Sequence, residues 1–283
     1  MGLPTNPLQI VTTLARARLG TRTPLKVTHL LTYACNVECG FCTRIHVPAG
    51  AMDDRQVLQM MTAFAELGTR WWVFNGGEPT LVPALGAYLD KAVELGFHTT
   101  LVTNGTRLEA RYEELQRLDL VICSLHGTEQ EHDRVVGRQG SYQQALRGLR
   151  LIAEAGVEVC LLGVINERNR GLTEEMLALG ESLGAGVAFQ PIVATRLGGA
   201  HIDYRLMPSR TDLQETVDWL LEQKMKGRPV SCSSAYLEAV KDSWPDRPMA
   251  VKCRASSSRA RSNWQRSRAA IYPCGDAGTR LPS

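Results

Sequence analysis

Three cysteines crowd into a short stretch near the start of the chain. Cys35, Cys39 and Cys42 stand in C-x3-C-x2-C spacing within CNVECGFC, directly after an apolar run. Thiolates bind iron and zinc well, and a short loop can wrap three of them around one iron–sulfur cubane. Three ligands for a four-iron cluster leave one iron open to a substrate or cofactor. The trio therefore predicts a metal or cluster site.

The same loop also fits a zinc site. His46 lies four residues after Cys42, so that C-x3-C-x2-C-x3-H offers a complete tetrahedral ligand set. A chain of this kind would be a zinc-stabilised binding protein, which is a different class from an enzyme. The spacing of the cysteines alone leaves both alternatives open.

A second feature follows the next predicted strand, as Asn75-Gly76-Gly77-Glu78-Pro79. Paired glycines let a backbone edge approach a ligand closely, and the Glu-Pro pair fixes the exit of the chain. A plain turn is the simpler interpretation of this stretch. Together with the cysteine loop, it indicates a shared site at one rim of a sheet.

The elements that must position these residues alternate along the chain. Strand-like runs are followed by segments with apolar residues at helical spacing. Glycines at 68, 96 and 156 fall where helix C-caps are expected. The strands are predicted at 25–32, 70–75, 98–103, 119–125, 157–165 and 186–192, and the helices between them at 54–67, 82–95, 107–117, 141–155 and 172–183.

Six β-then-α units imply right-handed crossovers and a mostly parallel sheet. We predict an α/β fold, a partial (β/α)6 TIM-like barrel with a small cysteine-containing C-terminal extension. A doubly wound sheet is the alternative. In both folds, functional residues collect at the C-terminal ends of the strands.

The predicted organisation has three parts. Residues 1–24 form an N-terminal helix or lead-in, and 25–226 form the barrel, whose last helix (210–225) begins at Ser209 or Thr211. Residues 227–283 form a separate extension without long apolar periodicity.

The composition indicates a globular protein rather than a membrane-spanning or nucleic-acid-binding one. The chain has 283 residues, 44% hydrophobic and 22% charged, which suits a globular domain with a full core. A net charge of +3 is too small to indicate a nucleic-acid partner, and we expect none. No apolar run approaches the roughly 18 residues of a membrane span, so we expect no membrane and a cytoplasmic location. Cys123 and Cys160 lie in apolar runs and are expected to be buried thiols.

The motifs together resemble the radical SAM (S-adenosylmethionine) superfamily over residues 25–195. The resemblance rests on the cysteine loop with Phe41 before its last cysteine, followed by Gly-Gly-Glu-Pro at the second strand end. Asn104 matches the family's frequent Thr-Asn-Gly. Ser124 in CSLHG resembles the family's Ser-x-Asp-Gly, although His126 replaces the Asp.

The resemblance implies an enzyme with a [4Fe–4S] cluster on Cys35, Cys39 and Cys42. The free iron would bind the amino and carboxylate groups of SAM, and reductive cleavage would give a 5′-deoxyadenosyl radical that takes hydrogen from a peptide or a small biosynthetic intermediate. A flavodoxin- or ferredoxin-type protein would supply the electron. An RNA- or cofactor-modifying member of the family is an alternative.

The resemblance also implies which residues contact the cofactor. Glu78 would lie near the amino group of SAM, and Phe41 near the adenine. His126 could position substrate or shuttle protons, or it could merely hydrogen-bond a loop. The implied SAM-binding residues are Phe41, Gly76, Gly77, Glu78, Pro79, Asn104, Ser124, Asn166 and Gln190.

The C-terminal extension partly resembles the SPASM or twitch modules that follow many radical SAM barrels. Cys232, Cys253 and Cys274 are candidate ligands of a second iron–sulfur cluster, with Cys274 in the motif IYPCGD. Residues 254–268, with five arginines and five serines, are open to three interpretations: a basic patch, a disordered loop or a local disturbance of the reading frame.

Overall fold

The computed structural model describes residues 24–42, 52–192 and 204–244. Its strands and helices alternate as the sequence predicts. The strands are β1 (Lys26–Leu30), β2 (Trp71–Asn75), β3 (His98–Thr103), β4 (Leu120–Ser124), β5 (Glu158–Ile165) and β6 (Gly186–Pro191). The helices are α1 (Asp54–Glu66), α2 (Leu85–Glu94), α3 (Tyr112–Leu115), α4 (Glu129–Val136), α5 (Ser141–Glu154), α6 (Thr173–Ser182), α7 (Arg210–Met225) and α8 (Ser234–Ser243).

The six strands form one parallel sheet in the order β1-β2-β3-β4-β5-β6. A doubly wound sheet would reverse its strand order near the middle. The sequential order therefore excludes that alternative and confirms the partial barrel. Because all strands run the same way, their C-terminal ends lie at one rim. The loops that carry the cysteines and the paired glycines both leave from that rim.

Two adjacent tryptophans show how β2 separates the two faces of the sheet. Trp72 is fully buried between the sheet and the helices, against Phe64 of α1 and Phe97. Trp71 points to the opposite face, where its indole N–H donates to Thr100 Oγ1 at 2.7 Å and Lys26 Nζ lies 4.5 Å from its ring centroid. Because side chains alternate between the two faces of the sheet, more of the buried apolar surface of β2 lies in the core between the sheet and the helices than on the opposite face.

The helix ends follow local capping chemistry. Asp53 forms a capping box with Gln56 at the start of α1. Ser209 is the N-cap of α7, since its hydroxyl accepts a hydrogen bond from the Asp212 N–H at 3.1 Å. Glycines at 68, 96 and 156 have φ of 97°, 67° and 84° just after helices, as predicted for C-caps.

Two helices were not predicted from the sequence, and a third differs from its prediction. The first is α4, which buries only His132, Val135 and Val136 and so has too short an apolar stripe to show periodicity. The second is α8, which lies in the segment predicted to lack periodicity. The predicted helix at 107–117 is a 3-10 turn, Glu109–Arg111, followed by the single turn of α3.

The chain after residue 227 continues the barrel as far as the structure describes it. The Val187 N–H donates to the Pro229 carbonyl at 2.7 Å, and the Ser231 N–H donates to the Val187 carbonyl at 2.8 Å, so this segment lines the outer edge of β6. In α8, Leu237 and Val240 are buried in the main core. The described part of this segment thus packs on the barrel, and the boundary at 227 stays a prediction.

Residues 1–23 and 245–283, on which the predicted lead-in and most of the predicted extension fall, lie outside the described residues. Within the described ranges, no helix combines the length and the apolar character that a membrane crossing requires.

Candidate active site

The cysteine loop and the paired glycines meet because β1 and β2 continue to pair beyond their ends. The Gly77 N–H donates to the Thr32 carbonyl at 2.6 Å, and the Glu78 N–H donates to the Ala34 carbonyl at 2.8 Å. The pairing thus reaches the residue before Cys35. This contact is the shared rim that the sequence predicts.

Glycine is required at both positions of the pair. Gly76 has φ of 147°, and a Cβ atom there would lie 2.4 Å from the Thr32 carbonyl oxygen. At Gly77, a Cβ would lie 2.2 Å from the Ala34 carbonyl oxygen and 2.6 Å from that of Tyr33. The sequence predicts that the glycines let the backbone approach a ligand, whereas the neighbour that they admit in the structure is the cysteine loop itself.

Glu78 is fully buried, and its carboxylate joins the ends of β2 and β3. Oε1 accepts hydrogen bonds from the Thr80 N–H (3.0 Å), the Thr80 hydroxyl (2.6 Å) and the Thr103 hydroxyl (2.8 Å). Oε2 accepts from the Asn104 N–H at 2.8 Å. Burial raises the pKa of this carboxyl, although these hydrogen bonds act in the opposite direction. This network was not predicted from the sequence, where its only signal is the nearby threonines Thr80 and Thr103.

Asn104, in the turn after β3, contacts the cysteine loop from the side. Its Nδ2 donates to Asn36 Oδ1 at 2.8 Å and lies 3.7 Å from Cys35 Sγ. Asn36 in turn donates from its Nδ2 to the Thr106 hydroxyl at 2.9 Å. The ends of β1, β2 and β3 therefore converge on the first cysteine.

The three cysteines of the loop are half-buried free thiols. The Cys42 N–H donates to the Cys39 carbonyl at 2.9 Å, which closes a turn between them. Burial, with the nearby Cys42 and Cys35 thiols, raises the pKa of Cys39 to about 12. Three neighbouring thiolates therefore repel one another unless a cationic group binds all three. The chemistry of this donor set fits an iron–sulfur cluster.

A closed single-ion site is the other possibility for these thiols. In the described ranges, no three His, Cys, Asp or Glu side chains, the three loop cysteines included, are grouped closely enough to hold a metal ion as they stand, so their arrangement does not separate a single-ion site from a cluster. His46, the fourth ligand in the zinc alternative, lies outside these ranges.

His126, at the end of β4, is 2% exposed and connects several parts of the rim. Its ring Nδ1 accepts a hydrogen bond from the Val164 N–H at 3.2 Å, and its backbone N–H donates to His132 Nδ1 at 3.2 Å. Phe41 meets its ring edge-on, with centroids 5.0 Å apart. Burial, with the nearby His132, lowers the pKa of His126 to about 3. Because the ring is neutral and already hydrogen-bonded, the structure favours a role for His126 in holding the loops together over a role as a proton shuttle.

The remaining predicted SAM contacts differ in how accessible they are. Ser124 is half-buried at the end of β4, and Gln190 is exposed on β6. Asn166 is fully buried, and its amide is used within its own turn, with Nδ2 donating to the Val164 carbonyl at 2.9 Å and Oδ1 accepting from the Arg168 N–H at 3.0 Å. Pro79 is buried in the turn after Glu78.

The scattered cysteines lie away from the loop. Cys123 and Cys160 are buried thiols, as predicted. Cys232 lies beside β6, where its Sγ accepts from the Phe189 N–H and donates to the Phe189 carbonyl, both at 3.2 Å. Its thiol therefore extends the backbone pairing at this edge. Cys253 and Cys274 lie outside the described residues.

Two buried histidines, His126 and His132, and the half-buried His29 give the apoprotein a specific pH dependence. Burial lowers the pKa of His29 to about 4, of His126 to about 3 and of His132 to about 4. Between about pH 4 and 6.5 the unfolded chain binds these protons and the folded chain does not, so stability falls as pH falls. Urea unfolding should show a loss of up to about 4 kcal/mol per pH unit, since each proton contributes about 1.4.

The variant His126→Gln tests this assignment, because it removes one of the three titrating rings. Its slope should be smaller by about 1.4 kcal/mol per pH unit. A wild-type stability that stays flat over this pH window would contradict the prediction.

Comparison with known proteins identifies the family of this chain. The sequence model of the radical SAM superfamily matches residues 30–178. PqqA peptide cyclase of Gluconobacter oxydans is 30% identical over 213 residues, which cover 72% of this chain and 59% of the relative. Mycofactocin maturase MftC of Mycobacterium ulcerans is 29% identical over 213 residues, or 71% of this chain and 56% of the relative. The chain therefore spans less than two thirds of the length of these relatives.

Solved structures share the fold at low sequence identity. Streptococcus suis SuiB bound to S-adenosylmethionine has a TM-score of 0.64 and 15% identity, covering 80% of this chain and 55% of SuiB. The structure of anSMEcpe with bound AdoMet and Kp18Cys peptide has a TM-score of 0.60 and 21% identity, covering 74% of this chain and 63% of that one. The match of more than half of the chain to one family settles the assignment: this chain belongs to the radical SAM superfamily and is an enzyme of that family.

Proposed function

We propose that the chain reductively cleaves SAM at a [4Fe–4S] cluster held by Cys35, Cys39 and Cys42, and that its substrate is a peptide. The observation that carries the proposal is the hydrogen-bonded meeting of the cysteine loop with Gly77 and Glu78. When bound, the cluster supplies the electron that splits SAM into methionine and a 5′-deoxyadenosyl radical, which takes a hydrogen atom from the substrate.

The chain's own residues bind and orient SAM in this proposal. We assign Gly76, Gly77 and Pro79 to the wall beside the amino-acid end of SAM. Glu78 fixes that wall through its four hydrogen bonds and thereby holds Asn104 next to the loop. Orientation of this kind limits the reaction to one geometry.

The adenosine end is assigned to the other side of the rim. Phe41, Ser124 and Gln190 are the candidate contacts there, since each has exposed surface. Asn166 is assigned to shaping the turn after β5, because its amide is already bonded within that turn. A contact between Asn166 and SAM stays a prediction.

An apolar cluster beside Phe41 excludes water from the same region. Val164, Ile192 and Leu206 are at most 5% exposed, and Phe41 and Met207 pack against them. Water and reactive groups compete with a substrate for a radical, so a dry wall protects the reaction.

A peptide substrate is favoured by the names of the relatives. The relatives include the PqqA peptide cyclases. SuiB, which shares the fold, has also been solved in complex with its precursor peptide SuiA. A small-molecule substrate is the second candidate, because Fe-coproporphyrin III synthase of Methanosarcina barkeri is 29% identical over 211 residues. Both kinds of reaction need an electron donor, for which we propose a flavodoxin or ferredoxin. Free thiols and an open cluster suit the reducing cytoplasm.

Anaerobic reconstitution with iron and sulfide tests the cluster directly. We expect a brown protein that, with dithionite and SAM, releases methionine and 5′-deoxyadenosine in equal amounts. A colourless protein that contains one zinc ion would support the zinc-stabilised binding protein instead. Synthetic peptides and porphyrins, added separately, should show which class accelerates the formation of 5′-deoxyadenosine.

Counting iron tests the second cluster, which we propose for the extension after residue 227. One cubane gives about four irons per chain, and two give about eight. If Cys232 is a ligand together with Cys253 and Cys274, Cys232→Ala should lower a count of eight to about four. A count of about four in both proteins would leave Cys232 with the hydrogen bonds to Phe189 alone.

A further inference from the structure

The middle of the cysteine loop lies on the C-terminal turn of α4. The Glu38 N–H donates to the Val136 carbonyl at 2.9 Å, and the Gly40 N–H donates to the Val135 carbonyl at 3.1 Å. Carbonyls in the last turn of a helix have no partner within the helix. The loop amides satisfy them, so the end of α4 and the path of the loop depend on each other.

Arg138, two residues after α4, adds a charged contact to this junction. Its Nη1 donates to the Asn36 carbonyl at 3.2 Å, and Asn36 directly follows Cys35. The side chain is half-buried, and within the described part of the chain no carboxylate forms an ion pair with it. The guanidinium group is a cation. Arg138 therefore keeps a positive charge beside the loop.

The turn that carries Arg138 is itself fixed. Asp133 accepts hydrogen bonds from the Gly140 N–H (2.5 Å), the Ser141 hydroxyl (2.8 Å) and the Tyr142 N–H (2.9 Å). The Arg138 N–H also donates to the Asp133 carbonyl at 3.0 Å. The guanidinium is thus presented from a closed turn between α4 and α5.

A second contact from α4 reaches the other end of the loop. The ring of His132 stacks on that of His126, with centroids 5.6 Å apart, and His126 meets Phe41. The loop is consequently held by α4 at Glu38 and Gly40 and, through His126, at the residue before Cys42.

We propose that Arg138 is a positioning residue that fixes the cysteine loop through the Asn36 carbonyl and, by its charge, makes the cluster easier to reduce. The inference rests on the proposed function. A cluster with three thiolate ligands becomes more negative when it gains an electron, and a nearby cation stabilises the more negative state.

Two variants separate the hydrogen bond from the charge. Arg138→Gln removes the charge and leaves an amide donor on a shorter side chain, whereas Arg138→Met removes both the charge and the donor. Arg134→Gln is the matched control, because Arg134 lies on α4, four residues before Arg138, and pairs with Glu131 at 2.8 Å. The readouts are the midpoint potential from an EPR-monitored redox titration of the reconstituted protein, and hydrogen exchange of the loop amides in the apoprotein.

We expect Arg138→Gln to shift the reduction equilibrium about tenfold toward the oxidised cluster, which is ~59 mV for one electron. Exchange at Glu38 and Gly40 should accelerate about tenfold in Arg138→Met, because the loss of the bond releases the loop, and by a smaller factor in Arg138→Gln, whose amide still offers a donor. Arg134→Gln should leave both readouts unchanged.

An unshifted potential in Arg138→Gln would overturn the proposal, and so would an equal shift in Arg134→Gln. Unchanged exchange in Arg138→Met would overturn the fixing of the loop. A wild-type protein that builds no cluster would instead refute the proposed function, and the exchange measurement on the apoprotein would still test the contact between Arg138 and the loop.

Discussion

Replacing Cys42 with Ala is expected to abolish the cleavage of SAM and to leave no stable cluster. The loop offers three thiols, and the turn between Cys39 and Cys42 sets two of them side by side. With Cys42 gone, two ligands remain for a cubane that needs three from the protein. Iron–sulfide would then be lost during reconstitution, and 5′-deoxyadenosine would fall to the level seen without enzyme.

The experiment compares iron content and 5′-deoxyadenosine after identical anaerobic reconstitution. Cys160→Ala is the matched control, because it removes a thiol that is 4% exposed within β5 and outside the loop. That variant should keep its iron and cleave SAM, at a stability cost of about 1 kcal/mol. SAM cleavage by Cys42→Ala at the wild-type rate would refute the proposed cluster, and so would equal loss in both variants.

The barrel could be predicted from the sequence because each strand and most helices carry their own signal. The strand from 98 to 103 was predicted to the residue, since its β-rich run follows a glycine cap at Gly96. Parallel order then follows from the alternation of strands with helices. The helix α4 could not be predicted in this way. It buries a short face, and its end is completed by amides of a loop distant in sequence, Glu38 and Gly40.

The site was partly predictable for a related reason. The loop after β1 and the glycines after β2 had to share a rim once the strands were parallel, and they do. What the sequence could not give is the direction of each side chain. Glu78 points inward to Thr80 and Thr103, and Asn166 bonds within its own turn. Such details depend on depth and rotamer, which spacing does not encode.

Gly77→Ala should strongly destabilise the protein and disturb the cysteine loop. Its Cβ would lie 2.2 Å from the Ala34 oxygen and 2.6 Å from the Tyr33 oxygen, and both are backbone atoms that cannot rotate away. The loop must therefore move off β2, which breaks the bonds from the Gly77 N–H to Thr32 and from the Glu78 N–H to Ala34. Overpacking and two lost hydrogen bonds together predict a loss of about 3 kcal/mol in the free energy of unfolding.

Urea unfolding of the apoprotein and iron content after reconstitution measure the two consequences of Gly77→Ala. Gly171→Ala is the control, because no heavy atom lies within 4 Å of its Cβ position and its change in stability should stay within about 0.5 kcal/mol. If Gly77→Ala also binds full iron at wild-type stability, the end of β2 does not fix the loop. Because Gly77 carries no side chain that could contact SAM or iron, loss of iron in this variant alone would show that the cluster site depends on the backbone pairing between β1 and β2.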